Sequence, residues 1–170
     1  MDKNPTNYTG DGEPIMANLN FGRSLLAGLA GTAVMTMLML AAPLMGMPKM
    51  PIGEMLGSFL HIGAVAGWGV HLLIGLTLAL IYAVVVAAFL PGAPALRGAI
   101  YGFVVFLVAQ IVVTPMMGGS IFSGGDARMI MGSLVGHLVY GGLVGVIYGP
   151  VVKRSSSSTP SPSAIRFTKA

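Results

Sequence analysis

The sequence contains no cysteine and very few charged residues. With no cysteine among 170 residues, the chain has no disulfide, no thiolate metal ligand and no cysteine nucleophile. Charged residues make up only 8% of the chain and hydrophobic residues 55%, whereas about 25% charged residues is usual in soluble domains. Such a chain cannot cover a water-facing surface with polar groups. The composition therefore excludes a soluble enzyme and predicts an all-α integral membrane protein.

Four apolar stretches are long enough to cross a bilayer as helices. A crossing needs roughly 20 mainly apolar residues, and a helix satisfies the backbone hydrogen bonds of a segment in lipid. None of the four stretches has an acidic or basic residue in its interior. They run from about Leu25 to Met45, from about Gly63 to Leu90, from about Leu96 to Pro115 and from about Ile130 to Val151.

The basic residues predict the orientation and the partners. Seven Lys and Arg flank the two termini and the connection between the second and third stretches, and two lie in the other connections. Because Lys and Arg accumulate on the cytoplasmic side, we expect both termini in the cytoplasm and an inner (cytoplasmic) membrane location. Residues 1–21 are expected to form a flexible tail, and the basic Ser/Pro-rich residues 152–170 a disordered one. We expect the chain to contact the bilayer and other membrane subunits, and we expect it to bind no nucleic acid.

The membrane domain, residues 22–151, contains an internal repeat. In the second and fourth stretches a His is followed by Gly four residues later and by Tyr eleven residues later. His71, Gly75 and Tyr82 thus correspond to His137, Gly141 and Tyr148. Each copy is a hairpin that runs outward and then inward, so the copies are parallel. We therefore expect a four-helix bundle of two tandem hairpins, residues about 22–90 and 96–151, in which small residues spaced by four form packing faces.

His71 and His137 are the intramembrane residues that need an explanation. An ionisable side chain inside a span is a functional candidate, and the repeat places both imidazoles at the same level near the outer ends of their helices. Gly67 and Gly75 lie one turn on either side of His71, and Gly141 lies one turn after His137. The missing side chains predict room for a flat ligand beside the imidazoles.

Three explanations of the histidine pair stay open. Each neutral imidazole can hydrogen-bond to Thr36, Gln110 or Thr114 on a neighbouring helix and fix the packing. Alternatively, the pair is the axial ligand set of haem b. The third explanation is a Cu(I) site, because thioethers and imidazoles are ligands of this ion. The candidate metal ligands are His71, His137, His61, Met45, Met47 and Met50.

Methionine is concentrated on the predicted outer side. Of 13 methionines, eight lie in or beside the two outer loops: Met45, Met47, Met50, Met55, Met116, Met117, Met129 and Met131. The first outer loop also contains Glu54, on a short amphipathic stretch that we expect to lie along the outer surface. No Ser/His/Asp arrangement for catalysis is found, so we expect a protein without enzymatic activity.

Three features carry a family resemblance: AGLAGT (Ala27–Thr32), the outer-loop element MLG (Met55–Gly57) and the paired His-xxx-Gly helices. Over about residues 22–150 they resemble small prokaryotic four-helix inner-membrane proteins of unknown function. The resemblance implies association with terminal oxidases or similar electron-transfer complexes, and it supplies no catalytic residue. It favours an accessory or structural subunit of a respiratory membrane complex.

Overall fold

A computed structural model of the protein describes residues 19–90 and 92–150, and this part of the chain is helical without any strand. The predicted tails therefore lie outside the described residues, apart from positions 19–21. α1 (Phe21–Ala41) continues as the 3₁₀ turn Ala42–Met45, and α2 (Ile52–Leu60) follows in the first long loop. The later elements are α3 (Ala64–Ile81), a π-helical segment (Tyr82–Val86), α4 (Ala87–Phe89), α5 (Pro94–Val108), a second π-helical segment (Ala109–Val113), α6 (Thr114–Met116), a turn (Ile121–Gly125) and α7 (Ala127–Tyr148).

The prediction of four membrane-spanning helices is confirmed. Helices long and apolar enough to cross a membrane cover Phe21–Met45, Ala64–Val86, Pro94–Met116 and Ala127–Tyr148. The first and the fourth begin a few residues earlier than predicted, because polar side chains cap them. The Asn20 side chain accepts the Arg23 N–H, and Asp126 accepts the N–H groups of Arg128 and Met129.

Glycines allow the spanning helices to touch through their backbones. α1 packs against both α3 and α7, and α5 packs along α7. A Cβ added to Gly98 or Gly102 of α5 would collide with the backbone of α7 near Gly141, and a Cβ on Gly28 would meet the backbone of α3 at 3.0 Å. The predicted small-residue faces are thus contact faces between helices.

Most of the buried core residues lie toward one end of the four helices. We call this end, where Phe21, Pro94 and Tyr148 lie, the terminal half; the opposite end, with α2 and the Ile121–Gly125 turn, is the loop half. Tyr82 is fully buried in the terminal half, with ring centroids 5.4 Å from Tyr101 and 6.0 Å from Tyr148. The Tyr101 hydroxyl donates to the Leu78 carbonyl at 2.8 Å, which ties α5 to α3.

In the terminal half, two arginines donate hydrogen bonds to carbonyls at the ends of neighbouring helices. Arg97 is only 6% exposed, and its Nη1 donates to the carbonyls of Ala87 at 3.0 Å and Leu90 at 3.3 Å. Arg23 Nε donates to the carbonyl of Ile147 at 3.2 Å. The last carbonyls of a helix have no partner inside it, so each guanidinium satisfies the end of a neighbouring spanning helix.

α2 is held against α3 rather than resting loosely on the surface. Gly53 of α2 lies under the Trp68 ring, and Gly67 of α3 meets the backbones of Gly53 and Gly57. α2 ends at His61, which adopts a left-handed conformation with φ 57°. The amphipathic stretch predicted to lie along the outer surface is therefore a helix fixed to the start of the second span, with Glu54 on its exposed side.

Replacing Gly98 by Ala is expected to destabilise the fold. The new Cβ would collide with the Gly141 carbonyl, and overpacking of this kind costs about 1–3 kcal/mol. Unfolding of the purified protein in detergent, followed by circular dichroism, measures the loss. Gly142→Ala is the matched control, because a Cβ there meets nothing within 4 Å. Equal losses in the two variants would contradict the packing described here.

Replacing Arg97 by Gln removes the guanidinium that satisfies the carbonyls of Ala87 and Leu90. Because hydrogen bonds from charged donors contribute about 1.5–3 kcal/mol, we expect a loss of that size in the same unfolding assay. Arg128→Gln, at an exposed position, is expected to leave the unfolding midpoint unchanged. An Arg97 variant as stable as wild type would show that these bonds are dispensable.

Candidate functional site

A cavity of about 330 Å³ lies in the loop half, between all four spanning helices and α2. Its walls are mostly apolar. The polar groups on the walls are two imidazoles, the Gln110 amide and the hydroxyls of Ser, Thr and Tyr residues. Among the residues that the structure describes, no Asp, Glu, Lys or Arg lines this cavity. An uncharged, largely apolar chamber of this size falls within the range of small-ligand sites.

Both candidate histidines line the cavity, one from α3 and one from α7. The His71 ring stands edge-on to Trp68 with centroids 5.9 Å apart, and the His137 ring stands in the same way to Phe106 at 6.0 Å. The sequence predicted that the two imidazoles face a common interior, and the structure brings both to one chamber.

The hydrogen bonds of His137 fix its tautomer. Its Nδ1 lies 2.7 Å from the carbonyl oxygen of Ser133. Because a carbonyl can only accept, Nδ1 carries the hydrogen and donates, and Nε2 of the neutral ring keeps its lone pair. His71 differs: its Nε2 is buried and has no hydrogen-bond partner within residues 19–90 and 92–150. Each imidazole therefore has an Nε2 that this part of the protein leaves without a hydrogen bond.

The prediction that the histidines hydrogen-bond to side chains on neighbouring helices is wrong. His137 bonds to the carbonyl one turn earlier in its own helix and to no side chain of α1 or α5. Thr114 donates to the Ala109 carbonyl at 2.9 Å, and the Gln110 amide oxygen accepts from Ser123 at 3.3 Å. The π-helical segment causes this arrangement, because it places Thr114 over a carbonyl five residues earlier and Gln110 beside the loop.

The glycines predicted to leave room for a flat ligand meet neighbouring helices instead. Gly67 lies against the backbone of α2, and Gly141 lies against the backbone of α5. Gly75 lies against the Thr32 side chain, although it also lines the cavity. The space directly over these three glycines is therefore occupied by neighbouring helices or by Thr32, which corrects the prediction of a slot at these positions.

The predicted outer metal ligands separate into two groups. His61 and Met45 are exposed, Met45 by 64%, and neither lines the cavity. Met50 lines the cavity, and the Met47 and Met50 side chains both lie over Gly132 of α7. The structure thus places Met50 in the same cavity as the two half-buried histidines and leaves His61 and Met45 outside it.

Six methionines line the cavity together with the histidines. They are Met35, Met39, Met50, Met55, Met117 and Met129. Met35 and Met39 are not among the candidates predicted from the sequence, because they lie within the first span and away from the outer loops. Their signal was present: with Thr32 they follow the spacing of one helix face on α1, three and then four residues apart.

The wall formed by the third span has an irregular backbone. A π-helical segment covers Ala109–Val113, and Gln110 within it is 4% exposed and lines the cavity. Single π turns in α-helices occur frequently at functional sites. Within the described residues, no group of three or more His, Cys, Asp or Glu could hold a metal ion. A metal site here would have to combine imidazoles with thioethers.

Comparison with known proteins gives a family and no function. The model of a family of unknown function, DUF6789, matches residues 19–159. No curated protein matches the chain, and no solved structure does either.

Proposed function

This chain belongs to the DUF6789 family of unknown function, and we propose that it is a non-enzymatic accessory protein that binds Cu(I) inside the membrane. The observation that carries the proposal is the composition of the cavity wall. Two imidazoles and six methionines surround one uncharged chamber. Soft thioether ligands select Cu(I), and imidazole is also a copper ligand.

The hydrogen bond of His137 supports a role in metal binding. Imidazoles that bind metals commonly donate their other ring N–H to a carbonyl or carboxylate, which fixes the ring and makes the free nitrogen more basic. The bond from His137 Nδ1 to the Ser133 carbonyl has this form. His71 also lines the cavity, and its buried Nε2, which has no partner in the described part of the chain, is our candidate for a second nitrogen ligand.

Haem b fits this cavity less well than Cu(I). Haem carries two carboxylates, and no Lys or Arg is found among the described residues of the cavity wall to neutralise them. The glycines beside the imidazoles are covered by other helices or by Thr32, so they offer no slot for a flat ring. The donor set favours a small soft ion over a large charged cofactor.

The accessory role extends the proposal of copper binding. An accessory protein that delivers its metal ion needs an acceptor for that ion, and the family resemblance suggests a respiratory or other electron-transfer complex. Large apolar side chains remain exposed on every spanning helix, for example Leu26, Leu73, Val104 and Val146. These faces can meet lipid or the apolar surface of another membrane subunit.

We also infer that the two hairpins arose by duplication. In the aligned repeat, Arg23 and Gly28 of the first hairpin correspond to Arg97 and Gly102 of the second. Equivalent glycines make equivalent contacts: Gly28 meets α3 at Gly75, and Gly102 meets α7 at Gly141. Arg23 binds a carbonyl near the end of the fourth span, and Arg97 binds carbonyls near the end of the second. This reciprocity supports a pseudo-twofold axis along the membrane normal and gives the two histidines related positions.

Copper binding is tested by Cu(I) competition between the purified full-length protein and a chelator, without oxygen. We expect His71→Ala and His137→Ala to weaken binding by at least the roughly 10–100-fold that loss of a group hydrogen-bonded to a metal ligand costs. His61→Ala and Met45→Leu are controls, since both residues lie outside the cavity, and we expect wild-type affinity for them. Absence of Cu(I) binding, or equal losses in the controls, would overturn the proposal. Unfolding of the metal-free variants checks their fold.

The proposed orientation, with both termini in the cytoplasm, can be tested by labelling because the chain has no cysteine. Ser58→Cys, on the exposed side of α2, is expected to react with an impermeant maleimide in intact spheroplasts. Ser156→Cys, in the C-terminal segment, is expected to react only after permeabilisation. The opposite pattern would reverse the orientation.

A further inference from the structure

A second concave site lies next to the cavity on the loop half. Five residues line it: Glu54, Met55, Ser58 and Phe59 of α2 and Met117 after α6. We call this site the entry groove. It measures about 470 Å³, and Met55 and Met117 also line the cavity. These two methionines therefore stand between the groove and the chamber that contains the histidines.

We propose that the entry groove is a second Cu(I) site, at which the ion binds before it passes into the cavity. This inference rests on the function proposed above. An ion that enters from the groove meets Met55 and Met117 first and can exchange their thioethers for the ligands of the cavity. The ion keeps its oxidation state throughout, so the step needs neither an oxidant nor a reductant.

Glu54 gives the groove its charge. The described residues contain two carboxylates, and Asp126 uses its own to cap α7. Glu54 is exposed and lies in the groove, where its negative charge attracts cations from solution. The cavity has no such charge on its described wall, so electrostatic attraction acts at the entrance and soft ligands act inside.

The groove has one rigid wall and flexible side chains. α2 cannot slide over α3 easily, because Gly53 and Gly57 contact Gly67 at backbone distance. Methionine, by contrast, is unbranched and turns about three single bonds. Passage between the groove and the cavity therefore requires only rotation of Met55 and Met117, with α2 in place.

The test measures how fast the full-length protein in detergent takes Cu(I) from a chelator, by stopped flow without oxygen. Glu54→Gln removes the charge, and Ser58→Trp fills the groove; neither residue lines the cavity. We expect both variants to load the cavity severalfold more slowly than wild type, with an unchanged dissociation constant for the cavity site at equilibrium. The effect of Glu54→Gln is expected to fade at high salt, because salt screens an exposed charge. Met45→Leu, at an exposed residue that lines neither the groove nor the cavity, is the control variant and is expected to load at the wild-type rate.

The outcomes separate the two proposals. If wild type binds Cu(I) and both variants load at the wild-type rate, the entry groove is overturned and the cavity site stands. If wild type binds no Cu(I), the proposed function falls and the groove with it. Slower loading with weaker equilibrium binding in both variants would also overturn the inference, because it would show that the groove residues belong to the cavity site itself. Unfolding midpoints confirm that the variants keep the fold.

Discussion

Contact between helix backbones at glycine is the constraint on which the rest of the structure depends. Where α5 meets α7, a side chain on Gly98, Gly102 or Gly141 would strike the opposite backbone. In lipid, helices gain little from burying apolar surface, and close approach of small residues is a main source of association. These contacts set the distance and the rotation of each helix, and therefore decide which of its many apolar side chains face inward.

The two halves of the membrane domain differ in the side chains that surround these glycine contacts. In the terminal half, Tyr82, Tyr101 and Tyr148 fill the interior, and Arg23 and Arg97 bind carbonyls at helix ends. In the loop half the helices surround a cavity lined by long, flexible methionines and two imidazoles. The tightly packed end can hold the helices together, which leaves the open end available for the ligand that we propose.

A functional interpretation follows from the same division. The cavity offers soft and neutral ligands, the groove beside it adds a carboxylate, and Met55 and Met117 belong to both. Charge at the surface and thioethers within are suited to collecting a soft cation from water and holding it in an apolar interior. The proposed function assigns no role to Asp126 or Arg97, because Asp126 caps α7 and Arg97 donates to a carbonyl near the end of the second span.

The sequence by itself determined the four spanning helices and pointed to His71 and His137, because segment length, apolar composition and an ionisable group in lipid are local properties. It could not decide the role of Gly67 or Gly141, nor find Met35 and Met39. A helix in lipid is apolar on all sides, so it lacks the contrast between faces that identifies the inner face of a helix in a soluble protein. Only the tertiary structure decided these points, because the rotation of each helix is set by contacts between residues far apart in the chain.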